Sequence, residues 1–246
     1  MPRFFVKSEN IENEKITISG EDFNHIKNVL RLRQGDSLII SDGNCWDYSV
    51  VIDSYAANYV TTTIVDSYKN TNESEIDITL FQGVPKSDKM DMIIQKSVEM
   101  GVKRIVPVIT ERTVVKINSE KDIKNKITRW QRIAIEASKQ CNRGIMPIVE
   151  APVTFRQSIT EAKQADLNLI PYEKETGNKL KPVLKGGGAK TISVMIGPEG
   201  GFSNNEVDLA VENGCVPVTL GPRILRTETA GLLVLSIIMY ELGDIG

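Results

Sequence analysis

The sequence predicts an α/β protein in which a small β-rich domain precedes a larger domain of alternating strands and helices. Three observations carry that prediction. Residues 1–70 hold five short β-branched runs and a single helix-like pattern. Beyond residue 75 strand-like and helix-like segments alternate, the mark of a mostly parallel sheet with helices on both faces. Finally, two glycine loops, at 197–201 and 221–230, each follow a β-branched run and open into a helical pattern. Strand, tight loop and helix, twice over, is how such proteins build a ligand cleft at the carboxyl ends of their strands.

In chain order, strands are expected at 3–6, 15–18, 37–40, 48–52 and 59–65, separated by turn residues such as Gly35-Asp36 and Asp42-Gly43-Asn44. Close spacing of short strands predicts a small barrel. One helix interrupts them at 21–33, with Phe23, Ile26 and Leu30 on one face. The polar stretch 70–75 reads as a linker, giving domains at 1–72 and 73–246. A strand at 76–81 follows. A helix capped by Ser87 runs to Met100 and stops at Gly101. After a strand at 104–109, Ser119-x-x-Asp122 opens a helix reaching Gln140. A strand at 145–149, a helix from Thr154-x-x-Gln157, a strand at 167–170 and a Gly186-Gly187-Gly188 turn come next. A strand at 192–196 feeds the first loop. Ser203-x-x-Glu206 opens a helix that Gly214 closes, a strand at 216–220 feeds the second loop, and Thr227 or Thr229 opens the last helix.

With 246 residues, 41% of them hydrophobic and 25% charged, the chain can bury a substantial core. The net charge of −2 argues weakly against nucleic acid, but residues 82–146 hold 14 Lys/Arg against 7 Asp/Glu. Such a zone is either a footprint for a polyanion or a solvated helix face. Cys45, Cys141 and Cys215 show no paired spacing, and with His25 as the one histidine no zinc set can be drawn, so no metal and reduced thiols in a cytoplasmic protein are expected. Met1-Pro2-Arg3-Phe4-Phe5 offers no signal-peptide core, and the apolar run 232–240 is too short to span a membrane.

Glycines at 197, 200 and 201 let backbone approach a ligand closely. The loop has neither a P-loop nor a dinucleotide fingerprint, which disfavours a nucleoside triphosphate or a nicotinamide oxidoreductase. Glu199 inside it suits a cationic or neutral polar ligand better than phosphate; a purely structural turn stays open. The second loop crowds Arg223, Arg226, Thr227, Glu228 and Thr229 between a strand and an almost wholly apolar helix. One threonine is enough to cap a helix, so the surplus points to a site, against the plainer alternative of an Arg226–Glu228 ion pair.

Ile196-Gly197-Pro198-Glu199-Gly200-Gly201-Phe202-Ser203 and Leu220-Gly221-Pro222-Arg223-Ile224-Leu225-Arg226-Thr227-Glu228-Thr229-Ala230 resemble the signature of the RsmE family, the small-subunit rRNA uridine-N3 methyltransferases of the SPOUT superfamily. The resemblance extends over the whole chain, through Pro2-Arg3-Phe4-Phe5, His25-x-x-x-Val29-Leu30-Arg31, Lys86-Ser87-Asp88-Lys89-Met90-Asp91, Lys96-x-x-Glu99-Met100-Gly101-Val102 and Glu136-Ala137-x-x-Gln140-x-x-Arg143.

It implies a PUA-like β-barrel for RNA binding and a SPOUT α/β domain with a deep trefoil knot. It also implies S-adenosylmethionine as cofactor, a homodimer with RNA across both subunits, and a uridine of 16S rRNA near the decoding centre in the assembled small subunit as target. Carried onto this sequence, the adenine is held around Leu220, Gly221, Ile224, Leu225 and Ala230, with Leu169, Ile170 and Pro171 as a further wall. Ile196, Gly197, Pro198, Glu199 and Gly201 form the first-loop side, and Arg226, Thr227 and Thr229 complete the pocket. Arg226 is expected to stabilise the uracil anion, and Glu228, or a phosphate or water, to take its proton. Arg3, Arg31, Lys86, Lys89, Arg112, Arg129, Arg132 and Arg143 are candidates for phosphate contacts. His25 lies in the barrel, where a structural or RNA-contact role is expected. The competing reading is an RNA-binding protein with a vestigial cofactor pocket.

Overall fold

Alternating burial along short strands builds the first of two units. A computed structural model describes residues 1–115, 119–186 and 188–245, and the chain divides into Met1–Glu73 with Ser138–Met146, and Ser74–Ala137 with Pro147–Gly246. In the first unit, β1 (Arg3–Phe5), β2 (Ile11–Glu12), β3 (Lys15–Ser19), β4 (Ser37–Ser41), β5 (Trp46–Tyr55) and β6 (Tyr59–Lys69) form one sheet in the order β1-β4-β5-β6-β3-β2. The β1–β4 pair is parallel and the others are antiparallel. Phe4 of β1 and Ile16 and Ile18 of β3 share one core with Leu38, Ile40, Val50, Ile52 and Val60. The sheet therefore curls around that core, as a PUA-like half-barrel does.

The expected helix at 21–33 is shorter. It comprises α1 (Gly20–Asn24) and a π-helical turn over His25–Val29. The wider turn rotates Leu30 out of the face that Phe23 and Ile26 bury, and Arg31, with φ 55°, ends it. The first unit takes in Ser138–Met146 as well as the stretch ending at Glu73. Backbone hydrogen bonding explains this: Gly144 and Ile145 N–H donate to Glu73, and Gly144 O accepts from the Cys45 N–H.

The second unit is built on a wholly parallel sheet. Its strands are β7 (Asp77–Gly83), β8 (Arg104–Ile109), β9 (Ile148–Val149), β10 (Val153–Thr154), β11 (Leu167–Pro171), β12 (Thr191–Ile196) and β13 (Val216–Val218). Their order is β10-β8-β7-β12-β11-β13, with β9 also pairing β8. The helices are α2 (Lys89–Glu99), α3 (Glu120–Gln140), α4 (Phe155–Ala162), α5 (Leu180–Lys185), α6 (Asn204–Glu212) and α7 (Thr227–Glu241). On one face α4 and α6 pack Phe155, Ile159, Val207 and Ala210 against Phe81, Val106, Val108, Ile170 and Met195. The alternate strand residues Leu80, Ile105, Leu169, Val194 and Ile196 are buried too, and α7 lies against β12, α2 and α5. Burial on both faces is why these strands read as continuous apolar runs.

Capping boxes at Thr154–Gln157 and Ser203–Glu206 form as expected. Ser87 does not cap α2: its φ is 57°, and Asp88 takes the cap position without a side-chain bond. The short β2, β10 and α5 were not legible in the sequence, and Gly187 of the expected turn lies outside the described residues. Among the described residues no helix is long and apolar enough to cross a membrane.

Candidate active site

Three parallel strands, β11, β12 and β13, end at one edge of the second unit, and the chain leaving each forms one wall of a cleft. Its volume of about 520 Å³ lies within the roughly 300–1,000 Å³ of small-molecule sites. Pro171, Tyr172 and Glu173 follow β11. Residues Ile196 to Phe202 follow β12. Thr219, Leu220, Gly221 and Arg223 to Thr227 follow β13, and Ala230 of α7 and Lys89 of α2 close the remainder.

The first loop is held by sterics. Gly201, with φ +66°, donates its N–H to Pro198 O at 2.9 Å. A Cβ on Gly197 would sit 3.0–3.2 Å from the backbone of Gly201 and Phe202, and one on Gly83 would meet the Pro198 ring at 2.6 Å. The loop therefore seats directly on the end of β7, and Arg112 fixes its crest by donating to Gly200 O at 2.7 Å.

The second loop turns at Gly221, with φ +102°. It leaves Ile224 88% exposed, an unusual cost for a large aliphatic side chain that a bound apolar ring would relieve. Arg226 has extended backbone and caps α7 without a side-chain bond, so its guanidinium is left to line the cleft. Thr227 is buried. Its hydroxyl donates to Gly197 O at 2.6 Å and accepts from Gln82 Nε2 at 2.9 Å.

Lys89 stands between the loops. Its Nζ is 3.3 Å from Glu199 Oε1 and 3.2 Å from Glu228 Oε2. Both oxygens of Glu199 also accept the Lys86 N–H, at 3.1 and 3.2 Å. Hydrogen bonding to Glu228 raises the Lys89 ammonium above its ordinary range even though partial burial works against it. Burial would push the Glu228 carboxyl up, but its own backbone N–H, the Lys89 ammonium and the Arg226 charge together hold it below the carboxylate range.

Of the residues expected to bind a cofactor, Pro171, Ile196, Gly197, Pro198, Glu199, Gly201, Leu220, Gly221, Ile224, Leu225, Arg226, Thr227 and Ala230 line this cleft. Leu169 and Ile170 do not. They are fully buried within β11, Ile170 in the core under α4 and α6 and Leu169 on the opposite face of the sheet. Thr229 is exposed on the first turn of α7 and outside the cleft wall. Sequence reasoning missed Gln82, Gly83, Phe202 and Thr219, and placed Lys89 elsewhere. A glycine closing an apolar strand run was the available signal for Gly83.

Several phosphate candidates need correction. Arg3 is buried and pairs with Asp47 at 2.6 Å. Arg143 is 3% exposed and holds Glu73 through two hydrogen bonds, at 3.2 and 2.8 Å. Both are structural ion pairs, closed to a solvent-borne phosphate. Lys89 is committed to two carboxylates, Arg112 to Gly200 O and Arg129 to Asp88 and Asp91. Arg31, Lys86 and Arg132 are exposed. His25 packs edge-on against Phe4, at 5.7 Å between ring centroids, within the first unit.

The chain matches the family model of an RNA methyltransferase domain over residues 72–239 and that of an RNA methyltransferase PUA domain over residues 18–50. It is 32% identical to the ribosomal RNA small subunit methyltransferase E of Bacillus subtilis, across 98% of this chain and 97% of that one. The protein of the same name from Buchnera aphidicola is also 32% identical, across 99% and 95%. A crystal structure of the Neisseria gonorrhoeae ribosomal RNA small subunit methyltransferase E bound to S-adenosyl methionine superposes with a TM-score of 0.88, at 31% identity and across the full length of both chains.

Proposed function

The chain belongs to the ribosomal RNA small subunit methyltransferase E family, and from that premise we propose that it methylates N3 of a uridine in 16S rRNA near the decoding centre, using S-adenosylmethionine. The observation that carries the proposal is the cleft where β11, β12 and β13 end. Glu199 of its first loop and Glu173 after β11 offer carboxylates to a sulfonium, and its second loop offers exposed Ile224 to an adenine and Arg226 to the acceptor base. The same reading includes a deep trefoil knot in the second unit. When bound, the cofactor supplies an already activated methyl group.

The chain's residues then have two tasks. One is to hold the acceptor in line and exclude water. The other is to manage the uracil N3 proton. Arg226 stabilises the charge that develops on the flanking carbonyl oxygens as that proton leaves. Glu228, a phosphate or water receives it. Arg226→Ala should lower turnover by roughly a hundredfold or more while cofactor affinity by calorimetry stays near wild type; wild-type turnover would remove Arg226 from this role.

The substrate is the assembled small subunit, and the enzyme is a cytoplasmic homodimer. Exposed Leu233 and Tyr240 of the apolar α7, and Met92 of α2, favour a dimer, which sedimentation velocity tests. The decisive experiment is deletion of the protein followed by mass spectrometry of rRNA nucleosides. The expected result is loss of one 3-methyluridine from 16S rRNA. Persistence of that nucleoside overturns the proposal, and cofactor binding without turnover favours the vestigial-pocket alternative.

A further inference from the structure

We propose that Lys89 is a positioning residue for methyl transfer, clasping the first cleft loop to the first turn of α7 by serving Glu199 and Glu228 together, and so fixing Glu228 beside Arg226. This rests on the methyltransferase reading of the cleft.

Lys89 opens α2. A helix N-terminus carries partial positive charge, so a lysine is unfavourable there unless something nearby compensates it. The acidic groups at this helix start do not. Asp88 and Asp91 are taken by Arg129 of α3. Ser87 turns the chain through φ 57°, a costly conformation for a residue with a side chain. Lys89 is compensated instead by two carboxylates from other elements, one on each loop-and-helix wall.

The two carboxylates are not held alike. Glu199 also accepts the Lys86 N–H. Among the described residues, Lys89 is the one side chain within hydrogen-bonding distance of the Glu228 carboxylate. The Glu228 side chain is only 14% exposed, so water compensates poorly for a lost partner. The charged groups that face it are Lys89 of α2, Arg226 at the cap of α7 and, across Lys89, Glu199 of the first loop. Without the shared ammonium two anions face each other, and the more buried one is protonated at higher pH. With it, Glu228 stays ionised across the neutral range and is free to accept a proton.

The test uses the full-length protein and the variants Lys89→Met, Lys89→Gln and Lys89→Arg. In the cofactor-free protein, carbonyl-carbon NMR follows the titration of Glu228, assigned with Glu228→Gln. Its midpoint should rise by about one pH unit or more in Lys89→Met and Lys89→Gln, and stay near wild type in Lys89→Arg. With small subunits and saturating cofactor, kcat of the first two should fall roughly tenfold or more. The acid limb of their pH profile should move up with the Glu228 midpoint, KM for the subunit should change little, and Lys89→Arg should restore most of the rate. An unmoved Glu228 midpoint overturns the clasp, whatever reaction the enzyme performs. A moved midpoint with unchanged kcat overturns the positioning role. A wild-type protein that transfers no methyl group sinks the methyltransferase reading, and the apoprotein titration still decides the clasp.

Discussion

A buried hydroxyl needs a hydrogen-bond partner, and Thr227 both gives and receives a bond, across three elements. It accepts from Gln82 of β7 and donates to Gly197 O at the end of β12, while opening α7. The residue expected to touch the cofactor thus spends its donor on tying the second loop to the first. Thr227→Val keeps the shape and removes both bonds. It should cost about 1–3 kcal/mol of stability, because two hydrogen bonds of roughly 0.5–1.5 kcal/mol each are lost, and it should weaken cofactor binding as the first loop loosens. Urea unfolding and calorimetry check this; a loss under about 0.5 kcal/mol would show that the relay carries no structural weight. At the same scale, burial pushes the Cys215 thiol up to about 11. The thiol is therefore protonated at pH 8, and since the thiolate is the nucleophile, the native protein should resist alkylation there by mass spectrometry. Rapid labelling of Cys215 under native conditions would contradict its burial.

Elements meet at the cleft through backbone, and that is where small residues matter. Gly83 ends β7 with no room for a Cβ, since the Pro198 ring would lie 2.6 Å away. Gly83→Ala must push the whole first loop off the sheet edge. The expected result is a folded protein whose cofactor affinity falls at least roughly tenfold, because backbone and not a flexible side chain has to move. Wild-type affinity in that variant would mean the loop has slack the packing does not suggest. The same level explains what was legible in the sequence. The parallel sheet was, because strands buried on both faces leave continuous apolar runs, and Thr154 and Ser203, each with its capping partner three residues on, announce their helices. Both cleft loops were, because glycine and surplus polar residues mark them. Gly83 and Gln82 were not, because their partners Pro198 and Thr227 lie more than a hundred positions away and no local pattern encodes the meeting. The helix at 21–33 misled for the opposite reason: its apolar spacing fits an α-helix, but the turn over His25–Val29 is π-helical and shifts Leu30 off the face.

Charge is a property of the whole molecule, and counting it along the chain overstates what a polyanion can reach. Residues 82–146 hold twice as many basic as acidic residues, yet the arginine at its end, Arg143, is buried against Glu73, seventy positions earlier. Nothing in the surrounding sequence separates that arginine from exposed Arg132. Their contributions separate in solution, because counterion release depends on phosphates neutralised at the surface and a buried ion pair neutralises none. Lys86→Ala and Arg132→Ala should each flatten the dependence of log RNA affinity on log salt by about one, with stability near wild type. Arg143→Ala should leave the slope unchanged and cost about 3–5 kcal/mol in urea unfolding, since Glu73 keeps the Gly144 and Ile145 N–H groups but loses its paired cation. Fluorescence anisotropy with a 16S fragment across a salt series, run beside the unfolding curves, reads both quantities on the same preparations. If Arg143→Ala flattened the slope while stability held, the buried pair would be an RNA contact after all. If neither Lys86→Ala nor Arg132→Ala moved it, this basic zone would have no part in holding RNA.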